Sequence, residues 1–417
     1  MFPTLFTKLL DIESADEKAL HQLYLPLKNG GCGIPSHSAA DLGKFYISSA
    51  LLIAPIVYAA TGFWLGSAAP RTVLDANSHY FDSTAPSELS IANAVRLLVE
   101  AGISPPNFAH VGQAEAASFA AQAALRIKTI QRDVLEQRFL DTEDHAGRAR
   151  VLSAGGVGAQ WLACLPTLPP LSFTDEEFRL ALRFRLGLDT FTAGVCPHVN
   201  SYGQVCGAVC DSQGWHLLAC PSGGGYFVGH DSIVAAYGAL IAGPDGIPGA
   251  KAAWKPEVNA WNDHPEPDAC FSNLPGSRDV YVDGVLSLAN PATYVGCENR
   301  AGHLAELKKR AKHRDRPVFD ARHRRMHPFN FVALSFERHG FWARETVSFT
   351  KRLAMCRATM LGLEPSDEIQ RWYAVIACTL QRSNAKILKG EAIPACPSLS
   401  RQRWGFAANH DLPLAGR

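Results

Sequence analysis

The sequence predicts an α/β protein in which a helical N-terminal region and a small metal-binding segment precede an α/β region. Three observations lead to this prediction. Apolar residues recur at helical spacing through the first part of the chain. A segment rich in Cys, Gly and His follows at residues 196–226. Beyond it, short strand-like runs alternate with helical patterns, which is typical of α/β folds.

Length and composition set broad limits on function. The chain has 417 residues and a formal net charge of +1, so a nucleic-acid site would have to come from local clustering of charge. Eleven cysteines are too few for a disulfide framework in a chain of this length, and the first residues do not resemble a signal peptide. We therefore expect an intracellular protein.

One uncharged stretch, between Lys44 and Arg71, is long enough to span a membrane. Pro55, Gly62 and several Ser and Tyr residues interrupt it. These interruptions favour a buried pair of helices over a transmembrane helix, so we expect no membrane contact.

The N-terminal region, residues 1–172, is predicted to be helical. It ends in the Pro-rich stretch LPTLPPLS, which is typical of a linker. Helical apolar periodicity recurs at residues 39–60, 88–102 and 112–140.

The next segment, residues 173–226, connects this region to the α/β part. It opens with a helix, because Thr174 and Glu177 form a capping box and Gly187 ends the apolar pattern.

The α/β region is predicted to cover residues 227–350, and a helical tail to cover residues 351–417. A helix at 230–241 opens the α/β region. Candidate strands follow near residues 252–261, 267–272, 279–288 and 329–337.

The segment CGAVCDSQGWHLLAC places three cysteines and a histidine within 15 residues. Thiolates and an imidazole at such spacings suit a tetrahedral, structural Zn²⁺ site better than a set of merely buried thiols. The ligands predicted from this segment are Cys206, Cys210, His216 and Cys220. The fourth ligand stays open, because Cys196 or His198 in the nearby CPHV could replace Cys210. Gly207 and Gly214 allow the tight turns of a small metal loop.

A β-hairpin is predicted at residues 266–288, EPDACFSNLPGSRDVYVDGVLSL. Its turn is centred between Pro275 and Gly276. Pairing that is symmetric about this point places Asp268 directly opposite Asp283. Two opposed carboxylates repel each other unless a cation or a proton lies between them, and Mg²⁺ prefers oxygen ligands. A solvated strand face would also carry aspartates, but a mid-strand position such as that of Asp283 is uncommon for this residue.

The basic segment LAELKKRAKHR, between the last two strands, is predicted to be a helix. Beside a carboxylate–metal site, its lysines could hold a scissile phosphate, and its other cations could contact the DNA backbone. A solvated charged face or a nuclear localisation signal would give the same pattern. The basic residues here are Lys308, Lys309, Arg310 and Lys312, with Arg314 and Arg316 beyond.

Together these blocks resemble the C-terminal region of non-LTR retrotransposon polyproteins whose endonuclease is restriction-enzyme-like, a member of the PD-(D/E)xK superfamily. LPLKNGGCGIPS followed by FYISSALL is similar to the thumb or linker segment after a reverse transcriptase palm. CGAVCDSQGWHLLAC followed by GGGYFVGHD is similar to the family's CCHC-type zinc motif and the Gly-rich, His-containing turn after it. The similarity covers most of residues 22–350.

The resemblance implies a mixed sheet flanked by helices and a set of site residues on it. Asp268 of the Pro-Asp dipeptide and Asp283, with 14 residues between them, would hold Mg²⁺, assisted by Glu257 from the neighbouring strand. Val285 stands where the superfamily signature has lysine, so the resemblance implies that the following helix supplies it. The catalytic lysine would be Lys309 or Lys312. Gly284 also departs from the pattern, and His230 is expected to support the fold rather than the chemistry.

The resemblance further implies a nuclear, Mg²⁺-dependent DNA endonuclease that nicks target DNA and leaves a 3′-hydroxyl for target-primed reverse transcription. Its partners would be target DNA, element RNA and the reverse transcriptase portion of the parent polyprotein. The chain contains no Asp-Asp pair, so we expect no reverse transcriptase active site in it. Two other functions stay open, namely a non-catalytic nucleic-acid-binding remnant of a retroelement and a zinc-stabilised scaffold.

Overall fold

The structure is a computed structural model. It describes residues 7–12, 17–34, 137, 139–141, 143–192, 194–200, 202–222, 225–254, 267–289, 300–313, 317–320, 325–328 and 330–389. The chain divides into two compact units, of which the first contains residues 1–20, 27–31 and 143–417 and the second residues 21–26 and 32–142. Most of the second unit lies outside the described residues. So do the predicted helices at 39–60 and 88–102, nearly all of 112–140, and the uncharged stretch after Lys44.

The described elements follow one another as a mixed α/β protein. The helices are α1 (Glu17–Tyr24), α2 (His145–Ser153), α3 (Asp175–Leu186), α4 (Trp215–Ala219), α5 (Gly225–Ala242), α6 (Ala301–His313), α7 (Arg344–Leu361) and α8 (Pro365–Leu388). The strands are β1 (Gly194–Val195), β2 (Val209–Cys210), β3 (Lys251–Trp254), β4 (Ala269–Ser272), β5 (Val280–Ser287), β6 (Pro317–Asp320), β7 (Arg325–Pro328) and β8 (Phe331–Glu337). Among these elements, no helix is both long and apolar enough to cross a membrane.

A four-stranded mixed sheet forms the centre of the first unit, in the order β3-β4-β5-β8. The first three strands are antiparallel neighbours, and β8 runs parallel to β5. A parallel pair needs a long crossover connection, and helix α6 lies in this one. Two short antiparallel pairs, β1-β2 and β6-β7, lie outside this sheet.

The β4-β5 hairpin has the register predicted from its turn. Ala269 pairs with Val282 and Phe271 with Val280, so pairing is symmetric about the Pro275–Gly276 bond. The loop lengthens evenly on both sides, since the last pair of the ladder is Phe271 with Val280, which leaves four residues on each side of that bond. Gly276 takes a φ of 64°, in the left-handed region that glycine occupies without strain.

Helices cover both faces of β5. Its even positions, among them Val280 and Val282, are buried as predicted. On that side α5 packs closely, since Val234 lies beside Gly284. The odd position Asp283 is also buried, at 3 % exposure, because α6 packs over the other face.

The helix of the connector and the C-terminal helices close the core around this sheet. The capping box of Thr174 and Glu177 is present, and Gly187 ends α3 with a φ of 72°, as predicted. Helix α7 runs across residue 350, where the sequence predicted a boundary, and α8 packs against α3, α5 and α7. The Pro-rich linker is held to α8, because Arg382 donates to the carbonyls of Pro169 and Pro170 at 2.9 Å.

Candidate functional site

The first candidate site lies where β4 and β5 bring two aspartates together. Asp283 is in the middle of β5, and Asp268 immediately precedes β4, with its backbone N–H donating to the Val282 carbonyl at 2.8 Å. Extending the strand register by one residue places the two side chains opposite each other. A carboxylate oxygen of each, together with a ring nitrogen of His230, lies in a group whose atoms are all within 4.8 Å of one another.

Helix α6 contributes three nitrogen donors to the Asp283 carboxylate. Lys309 Nζ donates to Oδ1 at 2.6 Å, and His313 Nε2 lies 3.0 Å from Oδ2. Lys312 is farther away, with its Nζ 3.6 Å from Oδ2. Burial alone would raise the pKa of Asp283, but hydrogen bonds from His313, the contact with Asp268 and the charge of Lys309 outweigh it. The pKa of Asp283 therefore lies below its ordinary range, and the group is ionised at neutral pH.

Asp268 is held from the opposite side by α5 and by the backbone of β5. His230 Nε2 lies 2.8 Å from Asp268 Oδ2, and the Gly284 N–H donates to the same oxygen at 2.7 Å. The other ring nitrogen of His230, Nδ1, lies 2.9 Å from Asp231 Oδ1. Burial lowers the pKa of His230, but the hydrogen bonds to Asp231 and Asp268 outweigh it and raise the pKa to about 9.

Sequence reasoning missed His230 as part of this site and assigned it to the fold alone. The residue is distant in sequence, and only tertiary packing of α5 against β5 brings it to Asp268. One signal was present in the sequence. The glycine after Asp283 leaves space that the imidazole occupies, since a Cβ on Gly284 would lie 3.0 Å from His230 Nε2.

The remaining predicted site residues differ in where the structure places them. Lys309 and Lys312 both reach Asp283, as described above, whereas Arg310 turns away and pairs with Glu345 through Nε at 2.8 Å and through Nη2. Lys308 is exposed on α6. Glu257, Arg314 and Arg316 lie outside the described residues.

The second candidate site is a group of thiols around the loop between β1 and α4. The donor atoms of Cys196, Cys206, His216 and Cys220 all lie within 4.8 Å of one another. Cys206 Sγ is 3.4 Å from His216 Nε2, and Cys196 Sγ is 3.6 Å from Cys220 Sγ. A hydrogen bond from the Ala208 backbone lowers the pKa of the Cys206 thiol to about 6, although burial opposes it.

Backbone geometry explains which residues meet in this group. Gly207 and Gly214 have φ of 65° and 75°, so both occupy the left-handed region that the tight turns require. Cys196 exchanges backbone hydrogen bonds with the turn, because its N–H donates to the Ala208 carbonyl at 2.8 Å and its carbonyl accepts from Gly207 at 3.2 Å. That pairing places Cys196 beside Cys206.

Cys210 lies outside the four described residues whose donor atoms meet within 4.8 Å, and Cys196, the alternative fourth ligand, is one of those four. Cys210 pairs with Gly194 farther along the hairpin, and its side chain is buried in the same cluster as Cys196 and Cys220. His198, the other alternative, is fully buried outside the group, and its ring nitrogens have no hydrogen-bond partner among the described residues.

No model of a known protein family matches the chain, and no curated protein matches it either. The function of the two sites therefore has to be argued from their own geometry.

Proposed function

We propose that this chain is a metal-dependent DNA endonuclease with a restriction-enzyme-like domain built on the β3-β4-β5-β8 sheet. The observation that carries the proposal is the facing pair of carboxylates, Asp268 and Asp283, with an ammonium group 2.6 Å from one of them. Carboxylates that can hold a divalent cation, with a lysine beside them, are groups that can promote hydrolysis of a phosphodiester.

The donor set fits a divalent cation. Asp283 is buried and Asp268 is only slightly exposed, with side-chain exposures of 4 % and 16 %, so their like charges meet in a poorly solvated space. Carboxylate oxygens are the ligands that Mg²⁺ prefers. Bound between Asp268 and Asp283, Mg²⁺ would supply Lewis-acid stabilisation of the phosphate and lower the pKa of an attacking water.

The side chains of the chain itself position the reacting groups. His313 and the Gly284 N–H hold the Asp283 and Asp268 carboxylates in fixed orientations. The Lys309 side chain is 22 % exposed, so its ammonium can turn from Asp283 to a phosphate oxygen and offset the charge of the transition state. Exposed Lys308 and Lys312 on α6 extend this positive surface toward the DNA backbone.

Helix α6 is anchored well enough to present these lysines. Arg310 pairs with Glu345 at the start of α7, and the backbone N–H of Glu345 donates to Glu306 at 3.1 Å. The carboxylate of Glu337, in β8, accepts from the Gly302 N–H at 2.7 Å in the first turn of α6. These contacts tie both ends of the helix to neighbouring elements, so the positions of Lys309 and Lys312 over Asp283 are set by the fold.

The biological step that we propose for this activity is nicking of target DNA to leave a 3′-hydroxyl for reverse transcription by the remainder of a retroelement polyprotein. Target DNA and element RNA are the proposed partners, and the nucleus is the proposed compartment. The sequence blocks described above support this step.

The second site is proposed to be a structural zinc site. A set of three thiols and one imidazole is the donor chemistry of closed tetrahedral zinc sites, and Cys196, Cys206, His216 and Cys220 supply it. We expect purified protein to contain about one equivalent of zinc. Cys196→Ser should lose this zinc, whereas Cys210→Ser, a change at a buried thiol of the same hairpin, should retain it.

Nicking of supercoiled plasmid by the full chain in Mg²⁺ tests the nuclease proposal. We expect Asp268→Ala and Asp283→Ala to abolish nicking. Asp279→Ala should leave it unchanged, because Asp279 is an exposed carboxylate of the same hairpin outside the site. Nicking that persists in both site variants would assign the activity elsewhere.

A non-catalytic DNA-binding module is the second candidate, and one observation favours it. Lys309, Lys312 and His313 already surround Asp283, so the carboxylate has partners without a metal. Under this alternative the full chain binds DNA with a steep salt dependence but does not nick it, and Asp283→Ala binds as the unaltered chain does.

A further inference from the structure

We propose that His230 is a third metal ligand beside Asp268 and Asp283, which makes the site selective for a first-row transition cation such as Mn²⁺ over Mg²⁺. This assignment rests on the proposed function, because it concerns the same metal site. It changes the expected metal, since the two carboxylates alone would favour Mg²⁺.

The position of the imidazole supports the assignment. His230 Nε2 is 2.8 Å from Asp268 Oδ2, and it lies within 4.8 Å of a carboxylate oxygen of Asp283. Its side chain is 12 % exposed, so water competes little for the ring. A cation placed among these three atoms would meet one nitrogen and two oxygen donors.

Asp231 supplies the support that a metal-binding histidine usually has. A ligating imidazole commonly donates its other ring N–H to a carboxylate, which fixes the tautomer and the ring orientation. In this structure His230 Nδ1 is 2.9 Å from Asp231 Oδ1, so Asp231 would keep Nδ1 protonated while a cation at Nε2 replaces the proton that Nε2 shares with Asp268, which is released to solvent.

Gly284 gives a second, independent indication that the strand accommodates this ring. A Cβ at position 284 would lie 3.0 Å from His230 Nε2 and 3.1 Å from Cδ2. Such contacts are tighter than ordinary van der Waals separations, so a larger residue would require the imidazole to shift. The glycine thus leaves room for the ring. Its own backbone N–H donates to Asp268 Oδ2 at 2.7 Å.

The donor chemistry then decides the metal. Mg²⁺ is a hard ion that prefers oxygen ligands and gives up its water reluctantly. Imidazole suits the divalent first-row transition ions, and Mn²⁺ combines acceptance of nitrogen with an affinity for carboxylates. Replacing one oxygen donor by His230 Nε2 should therefore raise the affinity for Mn²⁺ relative to that for Mg²⁺.

Mn²⁺ binding to the zinc-loaded full chain tests the assignment without relying on activity. Electron paramagnetic resonance would measure the Kd of Mn²⁺, pulsed measurements would detect coupling to ¹⁴N, and calorimetric competition would measure the Kd of Mg²⁺. We expect ¹⁴N coupling in the unaltered chain and its loss in His230→Gln. The Kd of Mn²⁺ should rise about tenfold or more in that variant, with little change for Mg²⁺.

Two further variants complete the design. His303→Gln, which alters a histidine of α6 that packs on Phe341, should keep both the coupling and the affinity. Asp231→Asn leaves the imidazole in place, so the ¹⁴N coupling should remain while the Kd of Mn²⁺ rises. If His230→Gln does not fold, Asp231→Asn decides the question, because an unchanged Kd of Mn²⁺ in that variant would contradict ligation by His230.

Two results would overturn the assignment in distinguishable ways. Mn²⁺ bound with no ¹⁴N coupling, in a site that Asp283→Asn abolishes, would remove His230 as a ligand and leave the proposed nuclease site intact. Absence of any Mn²⁺ or Mg²⁺ binding that depends on Asp268 or Asp283 would remove both the assignment and the metal-dependent function.

Discussion

Asp283 and Glu368 are both buried carboxylates surrounded by nitrogen donors, yet their surroundings differ in one respect. Glu368, at the start of α8, accepts from Arg371 at 2.8 Å and from Trp372 Nε1 at 2.5 Å, and it pairs with Arg357 at 2.8 Å. Within the described part of the chain it belongs to no group of three metal-ligating side chains. Asp283 faces Asp268 and His230 as well as its cations.

A buried, ion-paired carboxylate is therefore not in itself a functional site. Arg357 and Arg371 are geometrically suited to hold a carboxylate permanently, and Arg357 is further fixed to the Asp245 carbonyl at 2.8 Å. The lysines at Asp283 are flexible and partly exposed, so they can exchange a carboxylate for a phosphate. We therefore assign a structural role to Glu368, and these contacts are compatible with the chemical role proposed for Asp283.

The largest expected effect is on the rate of plasmid nicking, which should depend on the cations around Asp283 and not on those around Glu368. Lys309→Ala should lower the rate of plasmid nicking by about 10²-fold or more, because an ammonium aimed at the phosphate is lost. Lys312→Ala should lower it much less, since Lys312 Nζ is 3.6 Å from Asp283 and Lys309 Nζ is 2.6 Å away. Arg371→Ala should leave the rate per folded molecule unchanged. Equal losses in the two lysine variants would contradict the assignment of Lys309.

The free energy of unfolding should respond in the reverse order, with a larger loss from a change at Glu368 than from one at Asp283. Glu368→Gln leaves the buried Arg357 without its ionic partner, and removing one member of a buried pair costs about 3–5 kcal/mol. Asp283→Asn should cost about 1 kcal/mol, because it relieves repulsion from Asp268 and its lysine partners can reach water. Denaturant unfolding of both variants beside the unaltered chain gives the comparison. A larger loss in Asp283→Asn would identify that cluster as the structural one.

The sequence predicts the residue positions of the two candidate metal sites to different extents. The facing of Asp268 and Asp283 followed from a turn signal and the two-residue period of a strand, since both fix register. The fourth zinc ligand could not be chosen among Cys210, Cys196 and His198, because turn conformations at Gly207 and Gly214 decide which donor atom lies near the other three.

Contacts between elements that are distant in sequence explain the other features that the sequence does not predict. His230 reaches Asp268 only because α5 crosses β5 beside Gly284, and the glycine signals a close approach without specifying which helix makes it. The Glu368 cluster likewise joins the end of α7 to the start of α8, so its partners are set by how two helices pack. Local rules predict elements and register, whereas contacts between elements depend on the whole core.

The pH dependence of the free energy of unfolding tests the structural role assigned to Glu368. Burial raises the pKa of Glu368, but the hydrogen bonds from Arg371 and Trp372 and the charge of Arg357 outweigh it and lower the pKa. A depressed carboxyl pKa contributes stability that is present above the unfolded-state value, about 4.3 for Glu, and lost as pH falls through the folded-state value.

The stability difference between the unaltered chain and Glu368→Gln should thus be full at pH 6 to 7 and shrink on acidification below about pH 4. Denaturant unfolding at several pH values measures it. Asp367→Asn, at an exposed carboxylate of the same helical turn, should show a small difference throughout. A difference for Glu368→Gln that does not change with pH would mean that ionisation is not what stabilises this cluster.

The smallest effect concerns Lys312 as a contact to the DNA backbone. Its side chain is 39 % exposed on α6, so it can reach a phosphate without leaving the helix surface. Each phosphate contact contributes about 0.9 to the slope of log K against log salt concentration for duplex DNA. Lys312→Ala should therefore reduce that slope by about one unit, with similar weakening for unrelated sequences. Lys386→Ala, at an exposed lysine of α8, is the matched control, and a slope that falls equally there would show that general positive charge, rather than the surface of α6, binds the DNA.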